Sequence, residues 1–178
     1  MSEVTVAERK SKVFPKGAYR EIITKAVCGT AKKYFRYSQH FVPAEGYDPH
    51  AILGTSITQM RLKEPEITNV GDSDIVGVGV NGIFEVHIWY AYNKGKSTDL
   101  IRQAINFEEI IPLSEYDFQS FNLTEARAMV IKPPQCMESR LTEEGRIKVD
   151  FELGVYAEVI GETKVRVRLA GPGDDEAS

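Results

Sequence analysis

The sequence has few of the residues from which metal sites, disulfide frameworks and membrane spans are built. It contains two cysteines and three histidines in 178 residues, and Cys28 and Cys136 lie far apart without a C-x-x-C pair. No histidine belongs to an H-x-x-x-H or H-E-x-x-H arrangement, so neither a zinc site nor any other cofactor is predicted. The apolar runs are short and interrupted by charges, which argues against a membrane-spanning helix and a secretory signal.

An excess of basic residues is also missing. The chain has 22 Lys and Arg against 26 Asp and Glu, a formal net charge of -4 and a pI of about 5.5. Nucleic acid is therefore not an expected partner, because binding to its phosphates requires clustered positive charge. A content of 42% hydrophobic and 27% charged residues is typical of a folded domain. The absence of a secretory signal predicts that it is made and kept in the cytoplasm.

The composition divides the chain into three parts. Residues 1–17 mix small, charged and polar types without a period, and we interpret them as a mobile N-terminal arm. Residues 18–170 form a single β-rich domain in this interpretation. Residues 171–178 begin with Gly-Pro-Gly and are predicted to be a flexible acidic tail, whose charges come from Asp174, Asp175 and Glu176.

Apolar and polar residues alternate with a period of two along much of the domain, as in half-buried strands. The pattern is clear in residues 146–153 (RIKVDFEL), in residues 163–170 (TKVRVRLA) and in residues 83–92 (IFEVHIWYAY). Gly161-Glu162-Thr163, between the first two, is predicted to be a hairpin turn.

Further strand candidates are separated by Gly, Pro, Asn or Asp, and no long helical period is present. They are REIITKAVCG, HAILGTSITQMRL, PEITNV, STDLIRQAINF, RAMVIK and CMESRL. Many short strands without crossover helices predict an all-β fold, an antiparallel β-sandwich or barrel-like domain with few or no helices.

Two short motifs resemble nucleotide-binding loops. Residues 77–82 (GVGVNG) fit G-x-G-x-x-G, and residues 95–97 (GKS) resemble the end of a phosphate loop. The first motif functions only between a strand and a helix, and here a strand follows; the second lacks the required earlier glycine. We therefore interpret the first as a long strand with a bend or bulge, in which Asn81-Gly82 lies at a kink or tight turn, and residues 93–96 as a hairpin loop.

Three chemical alternatives remain open. Glu85 and His87 lie on one strand face, as an acid and base pair would, and Cys136 is a candidate nucleophile, although nothing around it indicates an activated thiolate. Trp89, with Tyr34, Tyr90 and Tyr92, has the composition of a sugar-stacking platform. The competing interpretation places Tyr90 and Tyr92 in the core and leaves only Trp89 free to meet a partner.

Five segments, in order, resemble the outer spore coat morphogenetic protein E family of endospore-forming Bacillales. They are YREIITKAV (19–27), ILG (52–54), FEVHIWYAYN (84–93), PPQCMES (133–139) and AEVIGETKVRV (157–167). The extension before Tyr19 and the short acidic tail depart from the family pattern.

The resemblance implies a non-enzymatic scaffold made in the mother-cell cytoplasm and then located in the spore coat, at the outer coat boundary. Such a scaffold self-associates into a capsid-like layer, recruits other coat proteins and docks on the basement-layer morphogenetic ATPase. Residue chemistry adds two hypotheses: a neighbour's acidic tail meets the charged strand face formed by Lys164, Arg166 and Arg168, and Cys28 and Cys136 cross-link an assembled coat. The alternatives are a carbohydrate-binding module and a small enzyme that uses Cys136 or Glu85.

Overall fold

The computed structural model describes residues 18–117 and 121–170, and in these residues it contains strands and no helix. The fold class predicted from the alternation is therefore confirmed. No described segment forms a helix long and apolar enough to cross a membrane. The strands are β1 (Tyr19–Phe41), β2 (Pro49–Leu62), β3 (Glu66–Asn69), β4 (Val76–Tyr92), β5 (Ser97–Pro112), β6 (Glu115–Tyr116), β7 (Phe121–Leu141) and β8 (Ile147–Arg168).

The strands form two antiparallel sheets. The first sheet has the order β6-β1-β8-β7. In the second sheet β4 is central: β5 pairs along one of its edges, and β2 and β3 follow one another along the opposite edge. Contacts between the sheets place β8 over β4, β7 over β2 and β3, and β1 over β5. The molecule is therefore a sandwich of two layers.

The core lies between β4 and β8, the two central strands. On β4 the side chains of Phe84, Val86, Ile88 and Tyr90 are fully buried, and on β8 the apolar residues from Ile147 to Leu153 are buried as well. Aromatic rings connect the layers: Phe84 meets Phe151 at a centroid distance of 5.7 Å, edge to face. Both alternating segments thus bury the predicted face.

The glycines of the nucleotide-like motif lie inside β4, with strand on both sides. The prediction of a long strand is confirmed, but the turn at Asn81-Gly82 is wrong, because β4 pairs with β5 without a shift from Gly77 to Tyr92. The bulge lies on the partner strand β2, where the pairing shifts between Thr58 and Arg61. Gly82 is instead a packing residue, since a Cβ there would lie 2.4 Å from the Phe107 ring.

The predicted hairpin loop at residues 93–96 is confirmed. It joins β4 to β5, and Asn93, Lys94 and Gly95 all have positive φ. The amide of Gly95 donates to the carbonyl of Tyr92 at 3.1 Å, which closes the turn. The predicted strands RAMVIK and CMESRL, in contrast, are parts of one strand, β7, whose pairing with β8 shifts between Lys132 and Gln135 around two prolines. An edge strand tolerates these prolines.

The predicted hairpin turn at Gly161-Glu162-Thr163 is wrong. Strand β8 continues through these residues to Arg168, because β1 pairs with it along its whole length. Gly161 does not have the positive φ that a tight turn would require. The hairpin before β8 lies at residues 142–146 instead, where Thr142 donates to the carbonyl of Arg146 and Gly145 has φ of +74°.

Candidate assembly surfaces

The first part of β1 and the last part of β8 form a ribbon that extends beyond the sandwich. We call residues 19–27 and 160–168 the terminal ribbon. In β1 its side chains are almost all exposed, including Tyr19 (60%), Ile23 (61%) and Val27 (52%) on one face and Ile22 (39%) on the other. Nine residues of strand span about 30 Å, so the β1 part of the ribbon presents an extended apolar surface that is almost entirely exposed.

The predicted charged face of β8 belongs to this ribbon. Lys164, Arg166 and Arg168 are exposed, and the Arg166 guanidinium lies 5.7 Å from the centre of the Tyr19 ring. The opposite face of the strand is not buried as the alternation predicted, because Val165 is 39% exposed. The second sheet ends before it reaches this part of β8.

The acidic residues proposed to meet this face, Asp174, Asp175 and Glu176, lie outside the described residues. The same is true of residues 1–17, which the sequence predicted to be a mobile arm.

Trp89 is exposed on the outer face of the second sheet. Its indole is 51% exposed, and its neighbours on the adjacent strands are Gly54 and Leu100. Nothing lies within 4 Å of a Cβ built on Gly54, so the surface beside the ring is open. Tyr90 is buried in the core, where its hydroxyl donates to Asp99 at 3.1 Å; burial and this hydrogen bond raise the pKa of Tyr90 to about 12.

The proposed four-residue sugar platform is therefore not assembled. Tyr34 is exposed on the first sheet, where its ring lies against Gly154. Tyr92 stacks on Tyr47 at a centroid distance of 4.1 Å. Only Trp89 is available on its face, as the competing interpretation predicted.

The candidate enzyme residues do not converge. Glu85 and His87 are hydrogen-bonded to each other on the outer face of the second sheet, and the Arg102 guanidinium lies 3.5 Å from the Glu85 carboxylate. Cys136 lies on β7 in the first sheet, paired with Phe151 and packed against the core. Within residues 18–117 and 121–170, no group of three or more potential ligands could hold a metal ion.

The two cysteines differ in accessibility. Cys28 is the extra residue of a bulge between Val27 and Gly29; it is 4% exposed and its thiol donates to the Ala26 carbonyl at 3.2 Å. Cys136 is only partly buried, and both thiols are free. Cys136 is therefore the more accessible of the two thiols for the cross-link predicted from the sequence.

One charged cluster was missed by the sequence analysis. Glu152 lies on the predicted charged face of β8 but is only 8% exposed, because Lys132 and Arg36 each donate a hydrogen bond of 2.9 Å to its carboxylate. The Lys132 ammonium, and then Arg36, lower the pKa of Glu152. The alternation showed that this face is charged, but the partners lie on other strands and are not identifiable from local sequence.

The model of the outer spore coat protein E (CotE) family matches residues 18–178. The chain belongs to this family. The match begins at the terminal ribbon and covers both sheets, so the resemblance found in the sequence is confirmed. Membership identifies the chain as a protein of the outer spore coat. No similar sequence was found among curated proteins, and no similar solved structure was found.

Proposed function

We propose that the chain is a non-catalytic scaffold that associates with further copies of itself and recruits other proteins to the outer spore coat. The terminal ribbon carries this proposal, because it exposes large apolar side chains on both faces. Apolar clusters of this kind are typical of protein interfaces. Family membership supplies the setting in which such an interface is used.

Sheet edges support the same function. Among the described residues, β1 pairs on its outer side only with β6, at Gly29 and Thr30, and the outer sides of β5 and β7 have no ladder partner. Open edges are available for strand addition, which monomeric proteins normally prevent. A scaffold can use several such edges to build an extended layer.

The proposal extends to the place of assembly and to the partners. The scaffold is made in the mother-cell cytoplasm, surrounds the forespore, docks on the basement-layer ATPase and recruits outer coat proteins. The tail residues Asp174, Asp175 and Glu176 provide acidic groups for the exposed cations of a neighbouring ribbon, Lys164, Arg166 and Arg168. Cross-linking, chiefly through Cys136, follows assembly once the coat meets oxygen.

Two measurements test the scaffold. Light scattering of the purified protein should show mass that increases with concentration, and a fluorescent fusion should form a shell around the forespore. The test variant replaces the exposed Ile23 by Asp, which adds charge to the ribbon without disturbing the core and should therefore reduce association. A wild-type protein that remains monomeric at high concentration would contradict the proposal.

Trp89 favours a second function, the binding of spore or wall glycans. Its exposed indole adjoins open space at Gly54, and the polar groups Glu85, His87 and Arg102 lie on the same face. An aromatic ring beside hydrogen-bonding groups suits stacking against a sugar. Retention on a glycan resin should then be lost in Trp89→Ala and kept in Tyr34→Ala, which removes an exposed aromatic ring from the other sheet.

A further inference from the structure

In the part of the chain that the structure describes, the outer edge of β1 has no ladder partner on either side of β6, and the stretch before β6 is the one whose side chains are almost all exposed. This stretch covers residues 19–27 and ends where Asp117, directly after β6, donates to the Cys28 carbonyl at 2.7 Å. At the other end, Leu169 donates to the Ala18 carbonyl, so the groups of Ala18 point toward β8. Backbone direction alternates along a strand, so residues 19, 21, 23, 25 and 27 point their groups outward.

We propose that this edge pairs with the same edge of a second copy, antiparallel, about a two-fold axis at Ile23. The inference deepens the self-association proposed above and rests on it. In this register Ile23 faces its own counterpart, Glu21 faces Lys25 of the second copy, and Tyr19 faces Val27. Every exposed side chain on this face then meets a complementary one, and about ten backbone hydrogen bonds close the edge.

The charges continue across the four strands that result. Glu21 already lies opposite Arg166 within its own ribbon, and Lys25 lies opposite Glu162. Pairing therefore produces the row Arg166, Glu21, Lys25, Glu162, in which the sign alternates at every step and the last two residues belong to the second copy. Opposite charges on neighbouring strands stabilise a sheet, and like charges directly opposite destabilise it.

Other registers fail on simple grounds. An axis at Ile22 or Thr24 would still join outward backbone groups, but it would place Glu21 opposite Ile23 or Val27 and would therefore lose the pairing of opposite charges. An axis at residue 21 would place two glutamates opposite each other, and an axis at residue 25 two lysines. An axis between two residues would pair outward groups with inward groups. The second copy is consequently the occupant that this edge fits, and Ile23 is the position of its axis.

The test uses two opposite charge reversals in the full chain. Glu21→Lys and Lys25→Glu should each weaken self-association, on the order of tenfold, because each places two like-charged pairs across the axis. A mixture of the two variants should associate more tightly than either variant alone, since every reversed charge then meets its opposite across the axis. The double variant Glu21→Lys/Lys25→Glu should also associate with itself.

Capture of one tagged variant by the other, and sedimentation of each alone, measure these outcomes. Glu45→Lys and Lys94→Glu are matched controls with the same charge changes in exposed loops at the far end of the sandwich; they should associate normally. Circular dichroism confirms that each variant is folded. If the wild type associates but mixing the two variants does not restore association, the register at Ile23 is wrong while the scaffold function stands. A monomeric wild type would overturn both.

Discussion

Gly82 lies where no side chain fits, and its replacement by Ala tests the packing between β4 and β5. An ideal Cβ would lie 2.4 Å from Cζ and 2.5 Å from Cε1 of Phe107, and 3.0 Å from the Arg61 carbonyl. The Phe107 ring is 7% exposed and is held between Phe84 and Tyr37, with centroids at 6.2 and 6.4 Å. It therefore cannot move aside without disturbing other rings.

The two energetic effects of Gly82→Ala have opposite signs. Overpacking costs about 1–3 kcal/mol, while the loss of backbone freedom in the unfolded chain offsets about 0.4–1 kcal/mol. We expect a net destabilisation of about 1–2 kcal/mol, which corresponds to about 2–8 °C in melting temperature for a domain of this size. Urea unfolding of dilute protein, followed by circular dichroism, measures the free energy.

Gly79→Ala is the matched control. A Cβ at Gly79 would lie 3.7 Å from its nearest neighbours, an ordinary contact, so this variant should be as stable as the wild type or slightly more stable. Phe107→Leu should cost less in the Gly82→Ala background than in the wild type, because the smaller side chain relieves the clash. Equal stability of Gly82→Ala and Gly79→Ala would refute the packing role.

Three further predictions concern the core, the buried carboxylate and the thiols. Phe151→Ala should cost about 3–5 kcal/mol in urea unfolding because it removes the ring that joins the two sheets; a loss below about 1 kcal/mol would contradict this. The lowered pKa of Glu152 means that its stabilisation is complete above the ordinary carboxylate pKa of about 4.3 and is lost as the pH falls through the lowered value. Melts between about pH 7 and about pH 3 should therefore be less acid-sensitive for Glu152→Gln than for the wild type. A thiol reagent should label Cys136 in the native protein and Cys28 only after unfolding; mass spectrometry distinguishes them, and rapid labelling of Cys28 would show that the bulge opens.

The alternation in β4 and β8 was enough to predict the all-β fold and the buried faces, because a period of two is a local property of the sequence. The path of β8 was not predictable in the same way. Gly161-Glu162-Thr163 has the composition of a turn, but the pairing with Ala26, Lys25 and Thr24 holds these residues in a strand. Long-range pairing here prevails over local turn preference.

The candidate assembly surfaces were likewise only partly predictable from local sequence patterns. The cations at Lys164, Arg166 and Arg168 were found from alternation alone, but their place on an uncovered ribbon depends on where the second sheet ends. Alternation places Glu152 on a charged face but does not show that it is buried, because its partners are 20 and 116 residues away along the chain. A charged residue can lie on an open surface or in a buried cluster. Strand registers decide which, and local sequence patterns do not contain these registers.

Edge pairing at Ile23 and the proposed contact of the acidic tail use different charged groups. The salt dependence of association distinguishes the two contacts. In the paired ribbons the two rows of β8 cations are three strand spacings apart, about 14 Å, which exceeds the screening length of about 8 Å at physiological ionic strength. At low salt the rows repel each other unless acidic tails neutralise them. Association of the full chain should therefore weaken more steeply as salt is added than association of a chain lacking residues 171–178, in which screening of the Glu21–Lys25 pairs and screening of the cation rows act in opposite directions. Sedimentation of both proteins at two ionic strengths measures the salt dependence of association; equal slopes would exclude the tail as the counter-charge of the ribbon.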